Sequence, residues 1–159
     1  AKHSDSALRA SPVLAALYVS QASAQNQIIV ENNMTKKYEY NQLMDVKFKH
    51  HELIDIDTVV DECNDKWFNQ TLTKINDSVA RIGVVEGEYH WHTHEDDDEF
   101  FFVLSGKLYI DLENKTIELN PNQGVTISKG VSHRPRAPDK TVMLMVETAA
   151  INPIGEASA

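Results

Sequence analysis

The sequence holds a single cysteine, Cys63, among its 159 residues. No internal disulfide can form, and no cluster of thiolates can hold a metal. Any metal site must be built from nitrogen and oxygen donors. Cys63 lies in the acidic stretch Asp61-Glu62-Cys63-Asn64-Asp65, where only Lys66 offers a positive charge to lower its pKa. It reads as a partly packed residue without a chemical role. Long hydrophobic runs are also missing: nothing approaches the roughly 20 apolar residues needed to span a bilayer. Positive charge is scarce too. A formal net charge of −9 and a pI near 5.1 leave no basic patch for nucleic acid or an anionic membrane surface. A small-molecule ligand is the expected partner.

What is present suits one globular domain, with 42% hydrophobic and 25% charged residues. Residues 1–44 read as an N-terminal arm or leader, 45–148 as a β-barrel domain and 149–159 as a C-terminal tail. Lys2 and Arg9 precede an apolar stretch, Val13 to Val19, and then Ala22-Ser23-Ala24, the order of a secretory signal. The same residues also spell a short helix with Ser11 as N-cap and Pro12 at its first position. A third reading is an added leader before a start at Met34. All three stay open. Cytoplasmic localisation is the expectation, with secretion left possible by the signal-like order.

Residues 25–45 read as a linker or peripheral arm, with Ile28-Ile29-Val30 as their only strand-like patch. Asp57 to Cys63 suggests a helical turn with Asp57 as N-cap. From Trp67 onward, short strand signals alternate with turn residues. They run Trp67 to Ile75, Val79 to Val85, Tyr89 to His94 and Phe100 to Leu104. Leu108 to Leu112, Thr116 to Leu119, Val125 to Ile127 and Thr141 to Glu147 follow. Turns at this spacing predict an all-β sandwich or barrel.

Side chains alternate along a strand, so His90, His92 and His94 are expected on one face, with Tyr89, Trp91 and Thr93 on the other. Two histidines at i and i+2 can address one point inside a barrel. Glu99, after four intervening residues, can be folded back toward them by a short hairpin, and His133, after the turn at Gly130, is the candidate fourth donor. Imidazole nitrogens with one carboxylate suit Fe²⁺, Mn²⁺, Ni²⁺ or Zn²⁺. His90 lies two residues outward and reads as a pocket-lining or rim residue. Arg81 is a candidate for binding a substrate carboxylate or phosphate, although a surface or structural arginine is the plainer reading; Arg134 and Arg136 are weaker candidates. His90 and Tyr109 are candidates for acid–base work. The acidic run Asp96-Asp97-Asp98 reads as a solvated loop, and Phe100-Phe101-Phe102 as packing.

The run from Gly87 through His92, His94 and Glu99 to Gly106 resembles the first cupin motif, G-x5-H-x-H-x3,4-E-x6-G, with its leading glycine one residue too close. The second motif, G-x5-P-x-G-x2-H-x3-N, is met only at Gly130 and His133; Asn122, Ser128 and Ala137 stand at its other positions. The resemblance covers roughly residues 67–148. It implies a double-stranded β-helix barrel, often homodimeric, with a metal held by three histidines and a glutamate. The acidic loop and His133-Arg134-Pro135 are similar to the small cupins labelled mannose-6-phosphate-isomerase-like. A metal-dependent enzyme of isomerase, lyase or dioxygenase type is the leading expectation. The alternative is a non-catalytic module binding a small ligand or the metal.

Overall fold

The computed structural model describes residues 27–31 and 37–157. The signal-like or helical stretch within residues 1–24, and Met34, lie outside them. The strands are β1 (Gln27–Glu31), β2 (Lys37–Leu43), β3 (Trp67–Ile75), β4 (Ser78–Glu88), β5 (His92–Thr93) and β6 (Glu99–Ser105). They continue with β7 (Leu108–Leu112), β8 (Lys115–Leu119), β9 (Gly124–Ile127), β10 (His133–Thr148) and β11 (Glu156–Ala157). One helix, α1 (Ile56–Asp61), precedes β3. Among the described residues no helix is long and apolar enough to cross a membrane.

The strand signals downstream of Trp67 are realised with two main revisions: the expected strand Tyr89 to His94 is reduced to His92–Thr93, and the last strand is longer than expected. The last strand begins at His133, well before Thr141, and runs to Thr148. β10 borders β7 and β5 with its first half, β6 with its second and β4 with parts of both. Its pairing with β4 is interrupted between Ala137 and Thr141, where Pro138, which has no backbone N–H, lies. The irregularity lets one strand serve both halves of the rolled sheet.

Alternation then sorts the side chains. Trp67 and Val85, Phe101 and Val103, Leu108 and Ile110, Met143 and Met145 point inward into one core. Phe68, Leu72, Ile82, Val84 and Val142 point to the opposite face, where Val59 of α1 and the partly buried Phe48, Ile54 and Cys63 cover them. Cys63 has the packing role expected for it, and burial pushes its thiol pKa up. The N-cap of α1 is Asp55, two residues earlier than the sequence suggested. Its carboxylate accepts from the Thr58 amide, and Asp57 sits in the first turn.

The peripheral-arm reading of residues 25–45 does not hold for its described part. β1 and β2 pair antiparallel, and β2 joins β3 in parallel from Asn41↔Phe68 to Leu43↔Gln70. Val30, Tyr38 and Tyr40 enter the inner core. The signal was Tyr38-x-Tyr40-x-Gln42, an alternation masked by the polar residues between. Residues beyond Glu147 are likewise more than a tail: Ile151 and Ile154 are buried, and β11 pairs with β5.

Gly106 turns β6 into β7 with φ +81°, and a Cβ there would lie 2.7 Å from both the Lys140 carbonyl oxygen and the Thr141 Cα. Backbone atoms cannot swing aside. Gly106→Ala should therefore lower stability by about 2–4 kcal/mol, read as a shift in the urea midpoint.

Candidate metal centre

The centre is assembled from three regions of the chain. β5 supplies His92, the residue after it supplies His94, Glu99 opens β6, and His133 opens β10. Antiparallel pairing sets His133 directly opposite His92. The loop between His94 and Glu99 is pinned, not merely solvated. The Gly130 amide donates to the His94 carbonyl at 2.8 Å, the Lys129 amide to Asp98 Oδ1 at 2.9 Å, and the Thr148 hydroxyl to Asp97 Oδ1 at 2.6 Å. Two of the three aspartates thus stitch the hairpin to its neighbours.

One nitrogen or oxygen from each of His92, His94, Glu99 and His133 falls within 4.8 Å of the others. All four residues are between 1% and 7% exposed. Glu99 Oε2 lies 3.1 Å from His133 Nε2 and 3.5 Å from His94 Nε2. The outer nitrogens are held by main chain: His92 Nδ1 donates to the His90 carbonyl at 3.1 Å and His133 Nδ1 to the Val131 carbonyl at 3.0 Å. Such bonds orient the rings and leave Nε2 as the inward donor atom. His133 then faces a carbonyl on one side and a carboxylate on the other. That arrangement needs a proton between Nε2 and Oε2, or a metal cation in its place. The residues present fit a divalent ion.

Electrostatics agrees. Burial drives the His92 pKa well below the ordinary histidine value, with the neighbouring His133 adding to it, so its ring is neutral and free to donate a lone pair. At His94 burial acts in the same direction, but the hydrogen bond and charge of Glu99 outweigh it and the net shift is upward. Burial penalises the Glu99 carboxylate, yet hydrogen bonds from His133 and His94 reverse the effect and hold its pKa well below the usual range.

The other candidates are placed as follows. His90 is buried behind His92, at 5.2 Å between ring centroids, and outside any strand. Its Nδ1 meets the Tyr40 hydroxyl at 3.1 Å and its Nε2 meets the Ile154 carbonyl at 2.9 Å. Both nitrogens are committed, which separates it from the four donors and corrects the expectation of a rim position. Tyr89, expected on the opposite face, packs inward 5.1 Å from the His92 ring. The cause is that β5 is only two residues long, so regular alternation does not extend back to residue 89. Tyr109 is not brought to the centre: Leu108 and Ile110 point inward, and Tyr109 stacks outside under Arg136, 4.4 Å away. Arg134 and Arg136 both pair with Asp111 at 2.8 Å on that outer side.

Arg81 does face the interior. It is 1% exposed and its Nη1 donates to Glu147 Oε1 at 3.0 Å. Glu147 escaped the sequence reading, although it continues the inward series Met143, Met145, Glu147 along β10. A carboxylate on an apolar face was the available signal. Burial, then the charge of Glu99, push the Glu147 pKa up despite Arg81. Tyr40 and Tyr89 were also missed. The Tyr89 hydroxyl donates to the Pro153 carbonyl at 2.9 Å and accepts from Gln42 Nε2 at 2.8 Å. The C-terminal segment closes this side: Gly155 (φ +64°) passes so near His92 that a Cβ would lie 2.7 Å from the imidazole Cδ2.

Comparison with known proteins places the chain. A family described as Cupin domain matches residues 80–148. The uncharacterized protein YdbB of Bacillus subtilis (strain 168) is 42% identical over 90 residues, which make up 56% of this chain and 80% of that relative. The crystal structure of a cupin-2 domain containing protein from Shewanella frigidimarina NCIMB 400 is 31% identical, with a TM-score of 0.58 over 60% of this chain and 94% of the other. An uncharacterized conserved protein with double-stranded beta-helix domain from Klebsiella pneumoniae, 16% identical, shares the fold with a TM-score of 0.56 over 65% of this chain and 89% of its own. The chain belongs to the cupin family, and its barrel is a cupin double-stranded β-helix.

The buried histidines make the metal-free protein sensitive to acid. Burial lowers the His90 pKa to about 4 and depresses His92 in the same direction. The unfolded chain takes up those protons below about pH 6.5 while the folded one resists, so stability present above pH 6.5 is lost as pH falls toward 4. His94 acts with the opposite sign, its raised pKa favouring the folded form at low pH. The shift at His90 alone corresponds to roughly 3 kcal/mol. Urea midpoints of chelator-treated protein should fall between pH 7 and pH 4.5, and His90→Gln should flatten that dependence.

Proposed function

We propose that this cupin binds one divalent transition metal through His92, His94, Glu99 and His133 and acts, as a metal-dependent enzyme, on a small polar molecule. The observation that carries the reading is the convergence of four buried donor atoms within 4.8 Å. Buried imidazoles and a carboxylate aimed at one another without a cation are a poor arrangement for stability alone.

Three imidazoles and a carboxylate favour Fe²⁺, Mn²⁺, Ni²⁺ or Zn²⁺. When bound, such an ion would supply Lewis-acid chemistry, or O₂ chemistry if it is iron. The chain's own contribution is orientation and exclusion of water. The His90 and Val131 carbonyls fix two ring tautomers, while Tyr40, Tyr89 and Ile154 close the site from behind His92. The acidic loop and His133-Arg134-Pro135 support the mannose-6-phosphate-isomerase-like likeness, which names a fold relationship and leaves the reaction open.

A second reading, a non-catalytic module that holds the ion or a small ligand, is favoured by one observation. The donors are nearly fully buried, and a surface groove of about 580 Å³ is lined by Tyr38, Tyr40, Asp65, Trp67 and Glu86 but by none of the four. Cobalt-loaded protein separates the two. Azide should change the visible spectrum if an outside ligand reaches the ion, and an unchanged spectrum would favour the closed module.

Removing any one of the four donors, as in His92→Ala or His133→Ala, should weaken metal binding more than about 100-fold, beyond the loss typical of an orienting partner. His90→Ala keeps the carbonyl that orients His92 and should retain its metal. Elemental analysis of the folded variants is the check; equal metal content throughout would refute the assignment. Affinity for wild type should fall about tenfold per pH unit once pH drops below the raised His94 pKa, because that proton must leave first.

A further inference from the structure

The inner face of the barrel carries a second polar cluster, made of residues other than the four donors. Along β4 and β3 the pairs Trp67↔Val85, Asn69↔Gly83 and Thr71↔Arg81 alternate onto the inner face, and Met145 of β10 lies across from Arg81. Arg81 therefore stands where packing asks for an apolar side chain, and it is 1% exposed. One of its nitrogens, Nη1, bonds Glu147. The other two, Nε and Nη2, have no hydrogen-bond partner.

Those two nitrogens form one edge of the planar guanidinium. Their N–H bonds run parallel, at a spacing that matches the two oxygens of a carboxylate. A purely structural arginine in a core spends its donors on carbonyls and carboxylates of the fold, since a charged donor left bare in the interior is costly. Here the fold satisfies one nitrogen and leaves the other two without a partner. Two acceptors on neighbouring strands are also unpartnered, Asn69 Oδ1 and Gln42 Oε1, both on buried residues that are adjacent in the β2–β3 register. An open cationic fork together with two bare acceptors is the complement of a molecule that presents an anionic pair of oxygens and a hydroxyl.

The cluster adjoins the candidate metal centre. β10 and β6 pair as Met145↔Phe101 and Val146↔Phe100, so one step further Glu147 comes abreast of Glu99. Arg81 bonds Glu147, and Glu147 feels the charge of Glu99, so the two polar groups are neighbours. We infer that the Nε–Nη2 edge of Arg81 anchors the carboxylate of a small hydroxycarboxylate, whose hydroxyl is received by Asn69 or Gln42. As a statement about substrate class it rests on the reading of the neighbouring centre as the place where a small polar molecule binds.

Glycolate and its uncharged counterpart glycolamide are suitable probes, titrated calorimetrically into metal-free and cobalt-loaded protein. Wild type should bind glycolate in both forms and discriminate against glycolamide. Arg81→Lys, which keeps the charge but loses the fork, should weaken glycolate about tenfold or more. Arg81→Met alone would strand Glu147, so the neutral pair Arg81→Met with Glu147→Leu is the better deletion and should abolish binding while circular dichroism stays native. Glu147→Gln gives the opposite sign: with the internal anion gone, glycolate should bind several-fold more tightly, which a merely structural ion pair would not produce.

Three results would overturn the inference. They are no glycolate binding by wild type at tens of millimolar, equal binding of glycolamide, or unchanged affinity in the folded Arg81 variants; ordered water on the fork would explain any of them. Cobalt content measured on the same samples keeps the two readings apart. Full cobalt uptake without Arg81-dependent glycolate binding removes this inference alone. Arg81-dependent binding without cobalt uptake upholds the anchor and removes the metal.

Discussion

The pairing of β10 with β5 is the constraint on which the rest depends. It places His133 opposite His92, and through it a residue 34 positions beyond Glu99 joins the centre. β10 can reach that position because its first half lies along β7 and its second along β6, while its pairing with β4 spans both and is interrupted after Ala137. A shift of one residue in this register would turn His133, Met143, Met145 and Glu147 outward together and bring Arg134 and Arg136 in. The hydrophobic core and the donor cluster are therefore specified by the same alternation, and neither can slip without the other.

The interior that results holds several ionisable groups. His92, His94, Glu99, His133, Arg81 and Glu147 are all nearly inaccessible to solvent. Burial alone would expel such groups, and what keeps them is mutual pairing: imidazole against carboxylate at one end, guanidinium against carboxylate at the other. Around them aromatic and aliphatic side chains fill the remaining space, with Tyr40 and Tyr89 contributing both ring area and a hydroxyl that finds a partner. Apolar burial drives the collapse of the barrel, while the desolvation of the polar interior offsets part of that stability.

Closure of the site comes from the chain's two extremities as described, and this was the least legible part. β2 adds Tyr38 and Tyr40, and the segment from Ile151 to Gly155 lies against His90 and His92. Neither stretch has a strong local signal. In β2, lysine, glutamate and asparagine conceal the tyrosines, and the C-terminal contacts are made largely by backbone carbonyls, which carry no residue identity. His90 shows the same limit. Its position two residues from His92 suggested a shared face, but strand geometry ends at His92, and Tyr40 and Ile154 claim both of its nitrogens.

Local chemistry was readable directly. Short runs of β-forming residues between turn residues marked the strands, and His92-x-His94, Glu99 and Gly106 at their spacing marked the hairpin that carries three of the four donors, because these features depend on neighbours a few positions apart. What joins distant positions was decided only by the tertiary structure. The meeting of His133 with His92, the capture of Arg81 by Glu147 and the inward course of β2 follow from strand register and from the closing of the sheet. Those are set by the total burial of the whole chain, a sum that no short window of residues contains.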